Sequence, residues 1–362
     1  MHITTRREFV KQVAAGIGGL AFSTVTTSYA QPKPIRIAVY APSHCAFPAV
    51  YAYHTEIYKK NGINCELVYC DSMQIIMKKL INKEVEFAQL MSPMVFQMHF
   101  GQMKAPQTSL AVTQVLGTNG GVLGVATQSN INKIKDLSNK KIGIHSPLMV
   151  HNIILQLLLE KYGLSKDNMQ IIVVPMKEMK DALVQRKIDG FINPEPLPTL
   201  LESNHLSKSI LLTRMFWKNH PCCLLTTRKE ILTNDLTMAE DVTRATSMAC
   251  LILDDVTQRK QAISRFYDFN TPYKVISLSN LQKAFMPRRS DFYPFPFISS
   301  GYVIIQQMKK MNLLPLTLNT ESSVKDIFMV DLAMKMIKQA SDQVPGSSVP
   351  SSPERDESFH MI

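Results

Sequence analysis

The sequence predicts an α/β protein built from two similar lobes, and three observations support this fold class. A strand–helix–strand–helix–strand pattern begins at Ile35, and the same pattern returns from Lys141. The halves also share a local pattern, since NKEVEFAQL (residues 82–90) and QRKIDGFIN (residues 185–193) each place an acidic residue between a charged helix end and an apolar strand. Alternating strands and helices are typical of parallel sheets covered by helices. We therefore expect two such sheets in one chain.

The first half contains three apolar strands separated by two helices. The strands are residues 35–40 (IRIAVY), 65–69 (CELVY) and 85–90 (VEFAQL). The first helix is expected from about Pro48 to Lys60, where Gly62 stops it. The second is expected from about Ser72 to Asn82. Its apolar face consists of Ile75, Ile76, Leu80 and Ile81.

The second half repeats this order. Its strands are residues 141–144 (KIGI), 169–175 (MQIIVVP) and 188–193 (IDGFIN). A helix is expected from Pro147 to Tyr162, where Gly163 stops it. A shorter helix is expected from Met176 to Lys187. The residues that this helix turns inward are Met179, Ala182 and Leu183.

Two segments are expected to connect the halves. Residues 117–127 (GTNGGVLGVAT) form the outward connection, and residues 222–227 (CCLLTT) form the return crossing. We therefore expect lobe 1 to comprise residues 31–121 and 222–340, and lobe 2 to comprise residues 122–221. Ligands of open α/β sheets bind at the carboxyl ends of the strands, so this arrangement places a cleft between the lobes. Closure of the lobes about a hinge would trap a ligand there.

Both ends of the chain are expected to lie outside the lobes. Residues 5–11 (TRREFVK) are typical of a twin-arginine export signal, which continues through an uncharged stretch to Ser28-Tyr29-Ala30. The stretch is short and weakly apolar against the roughly 20 apolar residues of a spanning helix, so a cleaved signal over residues 1–30 is favoured over a membrane anchor. This predicts a periplasmic protein. Residues 341–362 are rich in Pro, Ser and charge and are expected to be disordered.

Composition narrows the function class. The net charge is +11, but Lys and Arg are scattered among Asp and Glu, which argues against a nucleic-acid partner. The apolar content of 45% supports a sizeable core. The six cysteines match no zinc pattern of paired CxxC units, and we expect them to be unpaired. A local bridge between Cys65 and Cys70 remains an alternative, since an oxidising periplasm permits one.

Several segments together resemble one family. They are residues 35–69 (IRIAVYAPSHCAFPAVYAYHTEIYKKNGINCELVY), 88–94 (AQLMSPM), 143–164 (GIHSPLMVHNIILQLLLEKYGL), 188–201 (IDGFINPEPLPTLL) and 217–225 (WKNHPCCLL). These segments resemble the periplasmic solute-binding proteins of ABC importers for nitrate, bicarbonate and sulfonates, over about residues 35–263. The resemblance implies a two-lobed type II binding-protein fold and a monomer that needs no cofactor. It also implies capture of a small anionic or polar solute for delivery to a membrane permease driven by a cytoplasmic ATPase.

Topology and this resemblance place eleven residues at the cleft. They are His44, Ser72, Met73, Gln89, Ser92, Gly121, Ser146, Met149, His151, Glu195 and Cys223. The helix starts near Ser72 and Ser146 are expected to offer backbone N–H donors and the positive end of a dipole. His151 matches a pocket histidine of the nitrate and bicarbonate group, although an isolated helical His is more often a core or surface residue. Glu195 lies between two prolines, so either a cleft loop or a hinge loop suits it.

Three positions depart from the nitrate-binding members of that family. As we align them, those proteins carry Trp where this chain has Met73, Gln near Gly121 and Lys where it has Cys223. Each change removes a donor or a positive charge that would coordinate a planar anion. The sequence therefore disfavours nitrate and favours a softer or larger solute.

Three other interpretations remain open. The same fold family includes pyrimidine synthases and pyrimidine-binding proteins of thiamine salvage, but this chain offers only Cys222-Cys223 in place of a cysteine-rich iron motif, so we expect no enzyme. The stretch with Met91, Met94, Met98, His99 and Met103 suits Cu(I), or simply a core. The aromatic residues of segment 292–297 suit a docking surface, or packing of the C-terminal helices against lobe 1.

Overall fold

Two β-sheets organise the protein in the computed structural model, which describes residues 33–164, 169–287 and 289–360. The strands are β1 (Ile35–Val39), β2 (Cys65–Tyr69), β3 (Phe87–Met91), β4 (Leu110–Asn119), β5 (Gly121–Ala126), β6 (Lys141–Ile144), β7 (Gln170–Val173), β8 (Gly190–Pro194), β9 (Ser207–Leu212), β10 (Pro221–Arg228) and β11 (Ser290–Asp291). The larger sheet has the order β11-β4-β10-β3-β1-β2, and the smaller has the order β7-β6-β8-β5-β9.

Helices cover both sheets. They are α1 (Phe47–His54), α2 (Ile57–Lys60), α3 (Met73–Ile81), α4 (Ser92–His99), α5 (Val150–Tyr162), α6 (Met179–Val184), α7 (Leu197–Ser203), α8 (Thr213–Phe216), α9 (Lys229–Asn234), α10 (Leu236–Asp254), α11 (Arg259–Phe266), α12 (Leu278–Ala284), α13 (Ile298–Lys310), α14 (Thr320–Ile327) and α15 (Val330–Ser341). Short 3-10 turns occupy Ile134–Leu137, Met176–Glu178 and Pro272–Val275. None of the described helices has the length and apolarity needed to cross a membrane.

The repeated pattern of the sequence appears as the same strand arrangement in each sheet. β1 pairs in parallel with β2 and β3, and β6 pairs in parallel with β7 and β8. An antiparallel strand then follows in each sheet, β10 beside β3 and β5 beside β8. The sheets are therefore mixed, because the strands that connect the two halves join the sheets as antiparallel members.

Several element bounds differ from those the sequence predicts. The helix expected over residues 48–60 is divided, because Glu56 adopts a left-handed φ of 60° between α1 and α2. Ile76 and Leu80 are buried on α3, but Ile75 is exposed. α5 begins at Val150 rather than Pro147, and the helix expected over residues 176–187 is only the 3-10 turn and α6.

The two connections between the sheets lie side by side. The expected outward connection is mostly strand, since β4 ends at Asn119 and β5 begins at Gly121, with Gly120 at a φ of 70° between them. The expected return segment is part of β10, and the crossing itself is residues 217–220. The backbone N–H of Asn119 donates to the carbonyl of His220 at 3.0 Å, which ties the two connections together.

The methionine and aromatic segments belong to the core. Met91, Met94 and Met98 are at most 3% exposed. His99 faces Asp326, with 2.9 Å from Nε2 to the carboxylate, and its Nδ1 accepts the backbone N–H of Leu110 at 3.1 Å. The stretch therefore supports the core interpretation rather than a copper site. In segment 292–297, Phe292 and Phe295 are buried, and Tyr293 and Phe297 are partly buried. Phe295 packs with Ala333 and Ile337 of α15, as the packing interpretation predicts.

The C-terminal tail differs from the expected disorder. Phe359 packs against Trp217 with ring centroids 5.6 Å apart, and the Trp217 indole Nε1 donates to the Glu357 carboxylate at 2.6 Å. The backbone N–H of Ile298 donates to the carbonyl of Pro353 at 2.9 Å. A few anchoring side chains thus fix a segment whose average composition is polar. The export signal predicted over residues 1–30 lies outside the described residues, and all six cysteines are free.

Candidate functional site

A cavity of about 600 Å³ lies where the parallel strands of both sheets end. The larger sheet lines it with residues at or after the ends of β1, β2 and β3, and the smaller sheet with residues after β6, β7 and β8. Carboxyl ends of parallel strands meet at one edge of a sheet, and ligands of such sheets bind there. The cavity is therefore the cleft that the sequence predicts between the two lobes.

Nine of the eleven expected residues line this cleft. They are His44, Ser72, Met73, Gln89, Ser146, Met149, His151, Glu195 and Cys223. Ser92 begins α4 behind it, with its hydroxyl donating to the carbonyl of Pro221 at 3.2 Å. Gly121 also lies outside the lining, although it contacts a residue that lines it. An ideal Cβ at Gly121 would approach Cδ2 of His151 to 2.2 Å.

The two expected helix starts differ. Ser72 is the N-cap of α3, and its hydroxyl accepts the backbone N–H of Ile75 at 3.3 Å. Ser146 is not a helix cap, because α5 starts four residues later and its N-cap is Met149, whose side chain makes no capping hydrogen bond. The Ser146 hydroxyl instead accepts the backbone N–H of Leu148 at 3.1 Å. The helix start expected beside Ser146 is therefore wrong, since residues 147–149 form a turn.

Four histidines surround the cleft. His44, His145 and His151 line it, and His220 lies behind them. His145 is half-buried, and the other three are buried. Burial lowers the pKa of His44 to about 4 and that of His220 to about 3. Burial also lowers the pKa values of His145 and His151. All four rings are therefore neutral at physiological pH.

His151 offers an unpaired polar atom. Its side chain is 1% exposed, and its Nε2 has no hydrogen-bond partner among the described residues. A buried nitrogen without a partner costs roughly 1–3 kcal/mol, which a hydrogen bond from a ligand would relieve. His151 is therefore neither a core histidine with all its hydrogen bonds satisfied nor a surface histidine.

A hydrogen-bond chain behind His151 fixes the tautomer of His220. The hydroxyl of Thr213 donates to the carbonyl of Gly121 at 2.9 Å, so its single hydrogen is used. His220 Nε2, 2.8 Å from the same hydroxyl oxygen, must then be the donor. This arrangement places His220 close to the backbone where the chain enters β5.

Glu195 connects the two sheets through its backbone and is buried through its side chain. Its carbonyl accepts the backbone N–H of His44 at 3.2 Å, and its own N–H donates to the carbonyl of Gly120 at 2.7 Å. The carboxylate accepts hydrogen bonds from the Arg289 guanidinium and from the backbone N–H of Thr199. Burial raises the pKa of Glu195 to about 7, against the opposing effect of Arg289. Its role therefore combines those of a cleft residue and an interlobe connector.

The charged groups of the lining are few. Asp71 and Lys177 are exposed at its rim, and Glu195 is paired with Arg289. Much of the remaining surface is apolar. The apolar lining includes Met73, Met91, Met149, Met176, Leu197 and Leu200. The cleft therefore contains no buried cation among the described lining residues.

The sequence analysis did not predict that three cysteine side chains lie together in the cleft. Cys45 and Cys222 line it together with Cys223, and both are buried. Cys45 directly follows His44 in the loop after β1, and Cys222 directly precedes Cys223. Their position next to His44 and Cys223 was the one indication in the sequence that Cys45 and Cys222 could reach the cleft. Their spacing along the chain resembles no metal-binding motif.

Comparisons with known proteins agree with this architecture. The nitrate/nitrite binding protein NrtA of Nostoc sp. is 29% identical to this chain over 153 residues, covering 38% of this chain and 34% of that protein. The match therefore spans about a third of that relative's length. The crystal structure of the periplasmic nitrate-binding protein NrtA from Synechocystis PCC 6803 has a TM-score of 0.77 at 17% identity, covering 90% of this chain and 93% of that one.

A second solved structure gives the same fold. It is the zinc-bound ligand-binding component of an ABC-type import system from Staphylococcus aureus, with a TM-score of 0.70 at 17% identity, covering 85% of this chain and 99% of that one. These likenesses confirm the predicted two-lobed periplasmic binding-protein fold. The model of the NMT1-like family matches residues 28–266. Because this match covers more than half of the sequence, the chain belongs to the NMT1-like family.

Proposed function

We propose that the protein is the solute-binding component of an ABC importer and that it captures a small, uncharged, polar solute in the cleft. The observation that carries the proposal is a cavity of about 600 Å³ at the strand ends of both sheets, into which residues of each lobe project. A cavity of this size suits a small organic molecule. His151 lines the cavity, and rotation of its ring away from Gly121 would present the unpaired Nε2 to the solute as the polar group that fixes its orientation.

The lack of a buried positive charge separates this cleft from one built for an anion. Burial keeps the lining histidines neutral, and Lys177 is exposed at the rim. A desolvated anion needs a cation or several aligned donors to replace its hydration. Of the anionic and polar solutes that the resemblance implies, the polar class is therefore favoured, and nitrate is disfavoured.

The methionines favour a solute with an apolar or aromatic body. Met73, Met91, Met149 and Met176 reach the cleft from four different elements. Thioether side chains are polarizable and adapt to the edges of aromatic rings. A heteroaromatic solute, such as a pyrimidine of thiamine salvage, satisfies both this surface and the polar Nε2 of His151.

The proposal also includes the location of the protein and the delivery of its solute to a permease. The NrtA structure is that of a periplasmic protein, and the Staphylococcus aureus protein belongs to an ABC-type import system. For this chain, export by residues 1–30 is inferred from the twin-arginine pattern of the sequence, and a monomeric state in the periplasm and docking on a permease are inferred from that likeness. Binding is proposed to need neither a cofactor nor turnover.

A thermal-shift screen tests the proposal. The purified protein is heated with nitrate, bicarbonate, an alkylsulfonate and a thiamine pyrimidine, each over a range of concentrations. A solute that binds only the native state at about 100 times its Kd adds about 2.7 kcal/mol of stability. We expect a rise in Tm that grows with the logarithm of the pyrimidine concentration, and none with nitrate. Such a rise with nitrate alone contradicts the uncharged class, and chemical conversion of a bound solute contradicts a pure receptor.

A further inference from the structure

Three potential metal ligands converge on the floor of the cleft. A ring nitrogen of His44 and the Sγ atoms of Cys45 and Cys222 all lie within 4.8 Å of one another. All three side chains are buried, and all three line the cavity. They come from two separate parts of the chain, the loop after β1 and strand β10, which the fold brings together.

Irregular strand pairing brings the second thiol to the cleft. Successive side chains of a regular strand point to opposite faces, so Cys222 and Cys223 would normally diverge. The pairing of β10 with β4 shifts register on both sides of Cys223, and both cysteines reach the cavity. Bulges of this kind redirect side chains next to functional sites.

Packing fixes the imidazole of His44 beside the thiols. An ideal Cβ at Gly117 would lie 2.9 Å from its ring, and one at Gly120 would lie 2.4 Å from it, so the ring fills space that these glycines leave. Its Nε2 lies 3.3 Å from Sγ of Cys45. Within the described chain, this thiol is the hydrogen-bond partner of the His44 ring nitrogens. A thiol is a weak hydrogen-bond donor, so the buried ring is poorly satisfied by it.

We propose that His44, Cys45 and Cys222 bind a zinc ion whose open coordination position faces the cleft. In a tetrahedral zinc site with bonds of ~2.0–2.3 Å, ligand atoms lie roughly 3.3–3.8 Å apart. The distance of 3.3 Å between His44 and Cys45 already meets this requirement. Small side-chain shifts bring a pair up to 4.8 Å apart into range.

Ligand chemistry favours zinc among the common cations. Mixed nitrogen and sulfur ligands suit Zn²⁺, and three protein ligands with one open position are typical of zinc sites that take an exchangeable ligand. Two thiolates, one neutral imidazole and Zn²⁺ form a group with no net charge, which suits a cleft without other buried cations. The metal would release the thiol protons on binding.

This site does not depend on the proposed solute class. A solute would reach the open position from the cavity, but zinc binding itself needs only the three side chains. Metal binding and solute binding can therefore fail separately, and each is measured on the same protein. Solute affinity is determined for the metal-free protein, and metal affinity is determined without solute.

Metal titration of the full-length protein tests the site. The reduced, chelator-treated protein is titrated with Zn²⁺ against a chromophoric chelator and with Co²⁺, whose thiolate charge-transfer absorption reports sulfur ligands. We expect one equivalent of Zn²⁺ and a thiolate-to-cobalt band. Cys45→Ser and Cys222→Ser should each weaken zinc binding about 100-fold or more. Cys70→Ser serves as the control, because Cys70 is a buried free cysteine outside the cleft lining.

Circular dichroism of each variant verifies the fold before its affinity is interpreted. If one of the two cleft variants does not fold, the other and His44→Gln carry the test. Zinc affinity that is unchanged in folded Cys45→Ser or Cys222→Ser overturns the proposal. So do an absent cobalt–thiolate band, binding of Cu⁺ without Zn²⁺, and a Cys45–Cys222 disulfide in protein purified without reductant.

Discussion

The imidazole of His151 lies directly against the backbone of Gly121, at the first residue of β5. A Cβ atom at Gly121 would approach Cδ2 of His151 to 2.2 Å and Oγ1 of Thr213 to 2.7 Å. Both approaches are shorter than any normal contact of a methyl group. The absence of a side chain at Gly121 therefore determines where the His151 ring sits in the cleft.

Gly121→Ala is expected to displace this ring. The added methyl group overpacks a buried site, which costs typically 1–3 kcal/mol. We expect a lower free energy of unfolding and weaker solute binding, measured by urea denaturation and by calorimetry. The double variant Gly121→Ala/His151→Ala should recover part of the lost stability, because removal of the imidazole makes room for the methyl group. If the effects of Gly121→Ala and His151→Ala on the free energy of unfolding simply add up in the double variant, the two residues do not interfere.

His151→Ala is expected to weaken solute binding without unfolding the protein. The variant removes an Nε2 that has no partner in the described structure, so little internal hydrogen bonding is lost. One hydrogen bond to a ligand contributes about 0.5–1.5 kcal/mol, which corresponds to a change in Kd of roughly twofold to twelvefold. His54→Ala is a suitable control, since His54 lies outside the cleft lining. Unchanged affinity in a folded His151→Ala protein would remove His151 from the site.

The buried histidines predict loss of stability in mild acid. Burial holds the pKa of folded His220 at about 3, whereas an unfolded histidine has a pKa near 6.5. Below pH 6.5 the unfolded state binds more protons than the folded state, so stability falls as pH falls. For His220 alone the loss by pH 5 is about 2 kcal/mol. Urea denaturation at several pH values from 7.5 to 5 measures this loss. The free energy of unfolding of His220→Gln should fall less steeply with decreasing pH than that of the parent protein.

Arg289→Met is expected to leave the Glu195 carboxylate buried without its cation. Removal of one partner of a buried ion pair costs about 3–5 kcal/mol. The loss of Arg289 should also raise the pKa of folded Glu195 further above its unfolded value. Protonated Glu195 then favours the folded state at low pH, and this advantage disappears as pH rises.

The variant should therefore lose stability, relative to the parent protein, as the pH rises above about 7, which is the pKa of Glu195 when Arg289 is present. Adding Glu195→Gln to Arg289→Met should abolish this extra pH dependence, since no carboxylate remains to ionise. Thermal unfolding at several pH values makes the comparison. A pH profile parallel to that of the parent would contradict the pairing.

The tail is expected to stabilise the folded protein. The double variant Glu357→Ala/Phe359→Ala removes two contacts of the Trp217 indole. They are the hydrogen bond from its Nε1 to the Glu357 carboxylate at 2.6 Å and the packing against the Phe359 ring, whose centroid lies 5.6 Å away. A buried donor left unsatisfied costs about 1–3 kcal/mol. Circular dichroism melting should show a lower Tm for this variant than for Asp356→Ala, which changes an exposed neighbour. Equal Tm values would indicate that the tail contacts do not contribute.

The succession of strands and helices along the chain and the location of the cleft could be predicted from the sequence because they follow from local patterns. The apolar strands of each half are visible as short apolar segments, and Gly62 and Gly163 mark the ends of the helices between them. Loops after parallel strands face one edge of a sheet, which is why most of the expected residues, such as His44 and Glu195, do line the cavity.

Features that depend on distant contacts could not be predicted. No local pattern shows that Arg289 pairs with Glu195, 94 residues away, or that Cys222 approaches Cys45 through a strand irregularity. The tail shows the same limit, because its average composition is polar and its contacts depend on single residues such as Phe359. The predicted start of α5 is wrong for a different reason. Pro147 suits the first position of a helix, but residues 147–149 form a turn and the helix begins only at Val150.

Trp217 is the single tryptophan of the chain, and it lies in the return crossing between the sheets, against both His220 and the tail. Its intrinsic fluorescence therefore originates from one known place. Because Trp217 lies in a connection between the two sheets, we expect opening or closing of the lobes to alter its surroundings, so that an emission change on adding a solute would report hinge motion. No dye needs to be attached, and every other residue can be varied without losing the reporter.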